Sequence, residues 1–406
     1  MQLSYTPEYE RFQKEVEAFV AEQWPLSGAE ADLPSEEQKR IFRDRAVEAG
    51  YLYRSIPRQY GGSEQPMDIL KARIIDTAFR KAKAPMELSG QGAGMLVPTL
   101  LELGTDEQKE RYVRATIRGE LDWCQGYSEP GAGSDLASLQ TRGDWQGDHW
   151  IVNGQKIWTS NAMEADMMFA LVRTEQGESK HAGISYLLID MKDPGVRVSP
   201  LKQVTGTEEF CEVFLDDVKV PGENIVGKPG GGWKVSKATL VHERALIGRA
   251  DALTLVFDAL VKLARGVLVD GRPAIESEHV QQQLAEIKGY VDAQLYTGHR
   301  LLTSAVKLKH PGIIALMGKL HATNVSHMFS RLALDLIGDA ALEAPSTVAY
   351  SPVFDGQLES WLGQWMWSPA IATAGGSANV QRNIIGERGL GLPRERAADE
   401  SRGAKQ

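Results

Sequence analysis

The chain has 406 residues, with 45 lysines and arginines against 54 acids, a formal net charge of −9, 42% hydrophobic and 24% charged residues. That length exceeds one ordinary core, so two or three domains are expected, and the mixture is globular rather than disordered or fibrous. An acidic chain without a lysine or arginine run excludes a nucleic-acid groove and an anionic-membrane surface, so neither nucleic acid nor membrane is expected as a partner. Cys124 and Cys211 are the two cysteines. They are not spaced as metal ligands, no metal is expected, and they read as buried free thiols of a reducing compartment. The opening MQLSYTPEYERF has neither the basic region nor the apolar run of a signal peptide, and no apolar stretch approaches ~18 residues. The expectation is a soluble, cytoplasmic protein.

The first third reads as helices. Thr6 and Pro7 form an N-cap and first-turn pair, followed by Phe12, Val16, Phe19 and Val20 at helical spacing. Ser35 with Gln38 reads as a capping box before Ile41 and Ala46, and Gly50 as a stop. Further helices are expected over 67–83 and 88–103. Thr105 with Gln108 caps another, which runs through Tyr112 and Ile117 to Gly119.

Near residue 121 the period changes. HWIVNGQKIWTS, MFALVRT, GISYLLIDM, VRVSPLKQV and EVFLDDVKV are short β-rich runs separated by Gly, Asp, Asn and Pro. Strands so spaced, without helices between them, predict a small β-barrel or a pair of packed sheets. They end at Val220-Pro221-Gly222. The glycine turn Gly230–Gly232 then returns the chain to helix, expected over 233–266, 278–307, 312–337 and 377–388, long amphipathic pieces that predict a bundle. The segment 339–360, rich in Ala, Pro and Ser, is expected as a loop or lid, and the tail after Arg394 as frayed. The fold class is therefore α+β. An N-terminal all-α domain (1–120), a middle β-barrel or sandwich domain (121–231) and a C-terminal four-helix bundle domain (232–406) are expected.

Two segments carry the chemistry. YSEPGAGSD, residues 127–135, is a loop of small residues, Gly131, Ala132, Gly133 and Ser134, between the acids Glu129 and Asp135. Its glycines let backbone N–H groups approach an anion closely, and its serines add hydroxyl donors. KIWTSNA, residues 156–162, sets the indole of Trp158 beside Thr159, Ser160 and Asn161. That grouping suits a planar heterocycle with polar edges.

In this wording, with QRNIIGERGLGLPRE near the C-terminus, the chain resembles the acyl-CoA dehydrogenase family over essentially its whole length. The resemblance implies FAD as cofactor. It implies that Ser128 bonds the pyrimidine edge of the flavin, that Gly133 and Ser134 hold cofactor phosphate, and that Ser134 is shared with substrate. It makes Trp158 the flavin-stacking indole, with Thr159 beside it and the Ser160 hydroxyl facing the reactive flavin nitrogen. Ser377, Asn379, Gln381 and Arg382 resemble the C-terminal segment that closes on the cofactor. Arginine suits a pyrophosphate because its fork pairs phosphate oxygens bidentately. The family's arginine-aromatic-glycine signature for that pyrophosphate is not evident, and DGRPAIESEHVQQQL offers Arg272 at best.

The reaction implied is α,β-dehydrogenation of an acyl-CoA thioester to the 2-enoyl-CoA, with the β-hydrogen leaving as hydride to flavin. An α-proton beside a thioester is weakly acidic, so donors must polarise the carbonyl while a desolvated carboxylate takes the proton. Many members place that glutamate just before Gly-Thr in the C-terminal segment. Here the matching stretch is AGGSANVQR, with Gly375 at the position. Other members, acting on branched or long chains, carry the glutamate on the first long helix of the C-terminal domain, where this chain has VHERALIG and Glu243. Read from the residues alone, Glu243 has Thr239, Leu240, Leu246 and Ile247 three and four positions away. A carboxylate on such a face is desolvated and raised toward the range of a general base. The bland alternative is a buried glutamate paired with Arg244 or Arg249 for structure alone. His242 receives no proton-transfer role. Arg244 is also expected among the substrate-binding residues, with Ser134.

Small residues at Gly375 and Gly376, with 339–360 to line or cover the space, favour bulky, branched or cyclic acyl groups. The family further implies an electron-transfer flavoprotein or similar acceptor as partner, and a homotetramer in which neighbours share FAD. Ile313, Ile314, Leu316, Met317, Leu320, Val325, Met328 and Phe329 cover a wide helical arc compatible with a bundle core or an interface. Two other readings stand beside this one: a catalytically silent partner subunit of a mixed assembly, which Gly375 would suit, and an oxidase or desulfinase on the same scaffold.

Overall fold

The computed structural model describes residues 5–246, 250–307, 313–343 and 356–393. In the N-terminal part, α1 (Pro7–Gln23) has Thr6 at its N-cap and Pro7 in its first turn, and buries Val16 and Val20. The next helix, α2 (Ser35–Glu48), starts one residue earlier than the expected capping box requires. Pro34 takes the cap position, so the Ser35 hydroxyl makes no cap bond, and the Gln38 amide donates instead to the carbonyls of Ala31 and Leu33, at 2.9 and 2.7 Å. Asp68 caps α3 (Ile69–Lys81), accepting from the N–H groups of Leu70 and Lys71. The helix expected over 88–103 resolves into a π turn (Gly92–Leu96) followed by α4 (Val97–Leu103). Glycine is needed there, because a Cβ on Gly92 would stand 2.8 Å from Trp123 Cδ1 and 2.9 Å from Thr116 Cγ2. The capping box of Thr105 and Gln108 forms in full at the start of α5 (Asp106–Ile117).

Among the described residues seven strands make one sheet: β1 (Trp123–Gly126), β2 (Arg142–Trp145), β3 (His149–Ser160), β4 (Met167–Arg173), β5 (Ile184–Asp190), β6 (Val196–Leu201) and β7 (Phe210–Pro221). The order is β1-β4-β2-β3-β7-β6, with β5 antiparallel to β4. β1 and β2 were not expected; four residues each are too few to show a period. The continuous apolar runs of β4 and β5 follow from burial on both faces. Met167, Phe169, Leu171, Ile184, Tyr186 and Leu188 face the core shared with the N-terminal helices. The alternate residues Met168, Ala170, Val172, Leu187 and Ile189 face a second core on the other side. Cys124 and Cys211 are free and buried in that second core.

The chain returns to helix with α6 (Gly232–Leu246) and α7 (Ala250–Gly266). One helix was expected over 233–266, and its residues 247–249 lie outside the described ones. A two-stranded hairpin, β8 (Leu268–Val269) with β9 (Arg272–Pro273), precedes α8 (Glu278–Val306), α9 (Ile314–Ile337), α10 (Leu358–Thr373) and α11 (Ala378–Ile384). Leu260, Ile287, Val291, Val325, Phe329 and Trp361 form the core of a four-helix bundle of α7, α8, α9 and α10. The expected loop over 339–360 begins as a 3₁₀ turn and runs outside the described residues at 344–355, but α10 already begins at Leu358. The tail beyond Leu392-Pro393 also lies outside them. By contact density the chain divides into two compact units, Met1–Leu201 with Glu208–Glu243, and Lys202–Thr207 with Arg244–Gln406. Among the described residues no helix is long and apolar enough to cross a membrane.

Candidate active site

In the first unit, β1 delivers the chain into loop 127–135. Glu129 and Ala132 exchange both backbone hydrogen bonds at 3.0 Å, closing a two-residue turn over Pro130 and Gly131. Asp135 anchors the far end. It accepts from Lys180 Nζ at 2.7 Å and Ser138 Oγ at 2.6 Å, and the Lys180 bond above all holds its carboxyl below the ordinary value. Between these anchors Gly133 and Ser134 are exposed. A Cβ added at Gly131 or Gly133 would meet nothing within 4 Å, so a ligand can approach the loop closely at these two positions.

The end of β3 lies beside this loop, tied to it by Ile157 N–H donating to the Ser128 carbonyl at 2.9 Å. The pairing of β3 with β7 slips between Lys156 and Thr159, and such a bulge re-aims the side chains beyond it. Trp158 turns outward with φ +60° and is 59% exposed, its ring edge-on to Phe210 at 6.2 Å between centroids. A bulky residue held at positive φ with its indole in solvent is strained, and strain of this kind collects at functional sites. The next residue, Thr159, is wholly buried, and its Oγ1 has no hydrogen-bond partner among the described residues. Ser160 is half-buried opposite Phe210, and Asn161 turns the chain at φ +57°.

Sequence reasoning did not pair Glu129 with Lys156. The lysine is fully buried and its Nζ donates to Glu129 Oε1 at 2.7 Å, to the Leu171 carbonyl at 2.7 Å and to the Tyr127 carbonyl at 3.3 Å. Glu129 also accepts from the N–H groups of Gln140 and Thr141, at 2.5 and 2.9 Å. Burial alone would raise the Glu129 carboxyl. The Lys156 charge and hydrogen bond, with those of Thr141 and Gln140, hold it below its ordinary value. Burial draws Lys156 down to about 8 against the pull of Glu129, so both remain ionised at neutral pH. The pair locks the root of the 127–135 loop to the strand that presents Trp158. One signal was available: Trp150, Val152 and Lys156 share the inward phase of β3, and a lysine in that phase needs a buried partner.

The residues of this unit fit a planar heterocycle carrying phosphate. An uncovered indole, a buried hydroxyl lacking a partner among the described residues, the half-buried Ser128 and an open glycine loop stand within one short stretch of two elements. Glu243 and Arg244 lie in α6, but their side chains fall outside the described residues. One turn before them, Thr239 is fully buried and Leu240 packs against the core shared by helices and sheet.

In the second unit, Gly375 and Gly376 form a turn at φ +60° and +88° ahead of α11. A glutamate at position 375 would have to hold the left-handed conformation that Gly375 takes freely. Ser377 caps α11 by accepting from Val380 N–H. Gln381 is buried and donates to the carbonyls of Gly375 and Gly376 at 3.3 and 3.4 Å, and Lys319 Nζ reaches the Gly376 carbonyl at 2.6 Å. Arg382 is exposed and donates to Asn379 Oδ1 at 3.2 Å. Arg272 lies on the exposed β8–β9 hairpin.

Three family models match the chain: the acyl-CoA dehydrogenase N-terminal domain over residues 6–120, the middle domain over 124–218 and the C-terminal domain over 230–390. Acyl-CoA dehydrogenase IpdE1 of Mycobacterium tuberculosis is 36% identical over 375 residues, covering 91% of this chain and 92% of the relative. Glutaryl-CoA dehydrogenase of Desulfococcus multivorans is 27% identical over 406 residues, covering 97% and 99%. Among solved structures, the ChsE4–ChsE5 complex from Mycobacterium tuberculosis superimposes with a TM-score of 0.74 at 29% identity, covering 97% of this chain and 100% of the other. The Tcur3481–Tcur3483 steroid ACAD gives 0.73 at 26% identity with the same coverage. With models matched from residue 6 to residue 390 and relatives aligned over nearly their full length, the chain belongs to the acyl-CoA dehydrogenase family of flavoprotein oxidoreductases.

Proposed function

We propose that this protein binds FAD and dehydrogenates a bulky acyl-CoA thioester between its α and β carbons, with Glu243 as the base. The observation that carries the reading is the bulge at the end of β3, which exposes Trp158 and leaves the Thr159 hydroxyl buried, without a partner among the described residues, beside the open 127–135 loop. FAD, when bound, supplies the acceptor for the hydride leaving the β carbon. Trp158 stacks on its ring system, Ser128, Thr159 and Ser160 bond its polar edges, and Gly133 and Ser134 offer N–H and hydroxyl donors to phosphate. Ser134 and Arg244 contact the substrate, and the Glu243 carboxylate takes the α-proton. Ser377, Asn379, Gln381 and Arg382 hold the remainder of the cofactor, with Arg382 suited to a phosphate oxygen pair. The chain divides functionally at 120/121 and 231/232.

Glycine at 375 and 376 and a helix-borne base leave room for a wide acyl group. The solved steroid ACAD makes a steroid-derived or similarly polycyclic acyl-CoA the first substrate to try. The acceptor of the electrons is an electron-transfer flavoprotein or a protein of that kind. The assembly is a homotetramer sharing FAD between neighbours. Tyr296, Met317 and Trp365, 62%, 45% and 47% exposed on the second unit, supply apolar surface for it.

Purified protein should carry yellow FAD that bleaches anaerobically with polycyclic or branched acyl-CoA faster than with short linear ones. Bleaching by no thioester would favour the silent-subunit reading, and rapid peroxide formation in air an oxidase. Sedimentation of the same sample should give a tetramer; a stable monomer with full FAD would reject the shared cofactor. Trp158→Ala should purify with less FAD and a shifted flavin spectrum, because a stacked indole contributes both contact area and electronic environment. Full, spectrally unchanged flavin in that variant would remove Trp158 from the cofactor site.

A further inference from the structure

A chain of buried hydroxyls in the first unit joins α4, α6 and β5. Thr99 on α4, Tyr186 on β5 and Thr239 on α6 are each fully buried, and Tyr127, which immediately precedes Ser128, is 5% exposed. Thr99 Oγ1 donates to the Met95 carbonyl at 2.7 Å and lies 3.0 Å from Thr239 Oγ1, which lies 3.4 Å from the Tyr186 hydroxyl. The Tyr127 ring meets Tyr186 edge-on at 6.3 Å. Thr239 Oγ1 also lies 3.2 Å from the Val235 carbonyl one turn back in its own helix, so this hydroxyl joins α6 to both α4 and β5. Burial pushes the Tyr186 phenol well above its ordinary value, so it remains a neutral hydroxyl.

We infer that Tyr186 and Thr239 are positioning residues that set the rotation and height of α6 against the flavin loop, so that the residue one turn beyond Thr239, Glu243, is held in place for proton abstraction. The inference rests on the dehydrogenase reading above. Thr239 sits four residues before Glu243, so a hydroxyl bond at 239 fixes the helical turn that carries the base. Tyr186 in turn packs edge-on against Tyr127, whose neighbour Ser128 belongs to the proposed flavin contacts. Misplacement of a reacting group by about 1 Å costs on the order of 100-fold in rate. A positioning defect should therefore appear in turnover, not in cofactor content.

The test compares wild type with Tyr186→Phe, Thr239→Val, the double variant and Thr239→Ser, all as FAD-loaded protein, with an acyl-CoA that bleaches the wild type. Tyr186→Phe and Thr239→Val should keep their FAD and leave KM within about 2-fold. Their kcat should fall about 10- to 100-fold, with a shift in the pH at which kcat is half-maximal. The double variant should be no slower than the slower single, because the two hydroxyls act as one unit, and Thr239→Ser should restore kcat. A wild type that bleaches beside variants that lose only thermal stability, with kcat and its pH profile unchanged, would overturn the inference alone. A wild type that bleaches with no thioester would overturn the dehydrogenase reading and this inference with it.

Discussion

Glu243→Gln is expected to yield a protein that still holds FAD and binds thioester but turns over at least ~1,000-fold more slowly. The amide keeps the size of the side chain and loses the ability to accept the α-proton, so the defect should fall on the chemical step. Three decades correspond to about 4 kcal/mol of barrier, which a well-placed base together with its desolvation can supply. Position 375, where the family resemblance would place a base, is a glycine at φ +60° in a turn secured by Gln381 and Lys319, so no carboxylate is available there. Anaerobic single-turnover bleaching separates the outcomes. Thioester binding with slow bleaching supports the assignment, whereas near-normal bleaching would move the search to another carboxylate.

Much of this architecture was legible in the sequence, because its signals were local. Thr105 and Gln108 are three residues apart and form the capping box their spacing implies. The apolar runs of β4 and β5 mark strands buried on both faces. What escaped depended on neighbours distant in sequence or on runs without a period. In α10, LESWLGQWMWSPAIAT is apolar on nearly every side and contains Pro369, so no 3.6-residue stripe announces a helix. Ser35 looked like a cap until Pro34 took the position ahead of it. The motif around Trp158 was readable as wording, but its presentation depends on a bulge opposite Cys211 and Phe210, some fifty residues further along the chain. Glu129 was visible as an acid at the edge of a loop, yet its partner Lys156 is set by strand phase and by a fold that closes 27 residues of chain.

That pair carries the second large expectation. Lys156→Met should destabilise the first unit by about 3–5 kcal/mol, the cost of leaving one partner of a buried ion pair behind. The residual Glu129 carboxylate would keep two backbone donors, from Gln140 and Thr141, but no cation. Glu129→Gln should cost a similar amount by stranding the ammonium on the carbonyls of Leu171 and Tyr127. The double variant should recover part of the loss, since neither charge is then uncompensated. The pair also predicts a direction in acid. The folded state holds the Glu129 carboxyl below its ordinary value of 4.5, so the stability it contributes is complete above that pH and is lost as pH falls through the depressed folded value. Lys156→Met, having surrendered that contribution already, should lose less stability than wild type over the same acid range. Because Lys156 and Glu129 secure the root of the loop that presents Ser128 and Ser134, the single variants should also shed FAD at temperatures where wild type keeps it. Denaturant unfolding followed together with flavin fluorescence reads both effects. A Lys156→Met protein within about 1 kcal/mol of wild type and fully loaded with flavin would show that the pair is neither a stabilising lock nor a support for the cofactor loop.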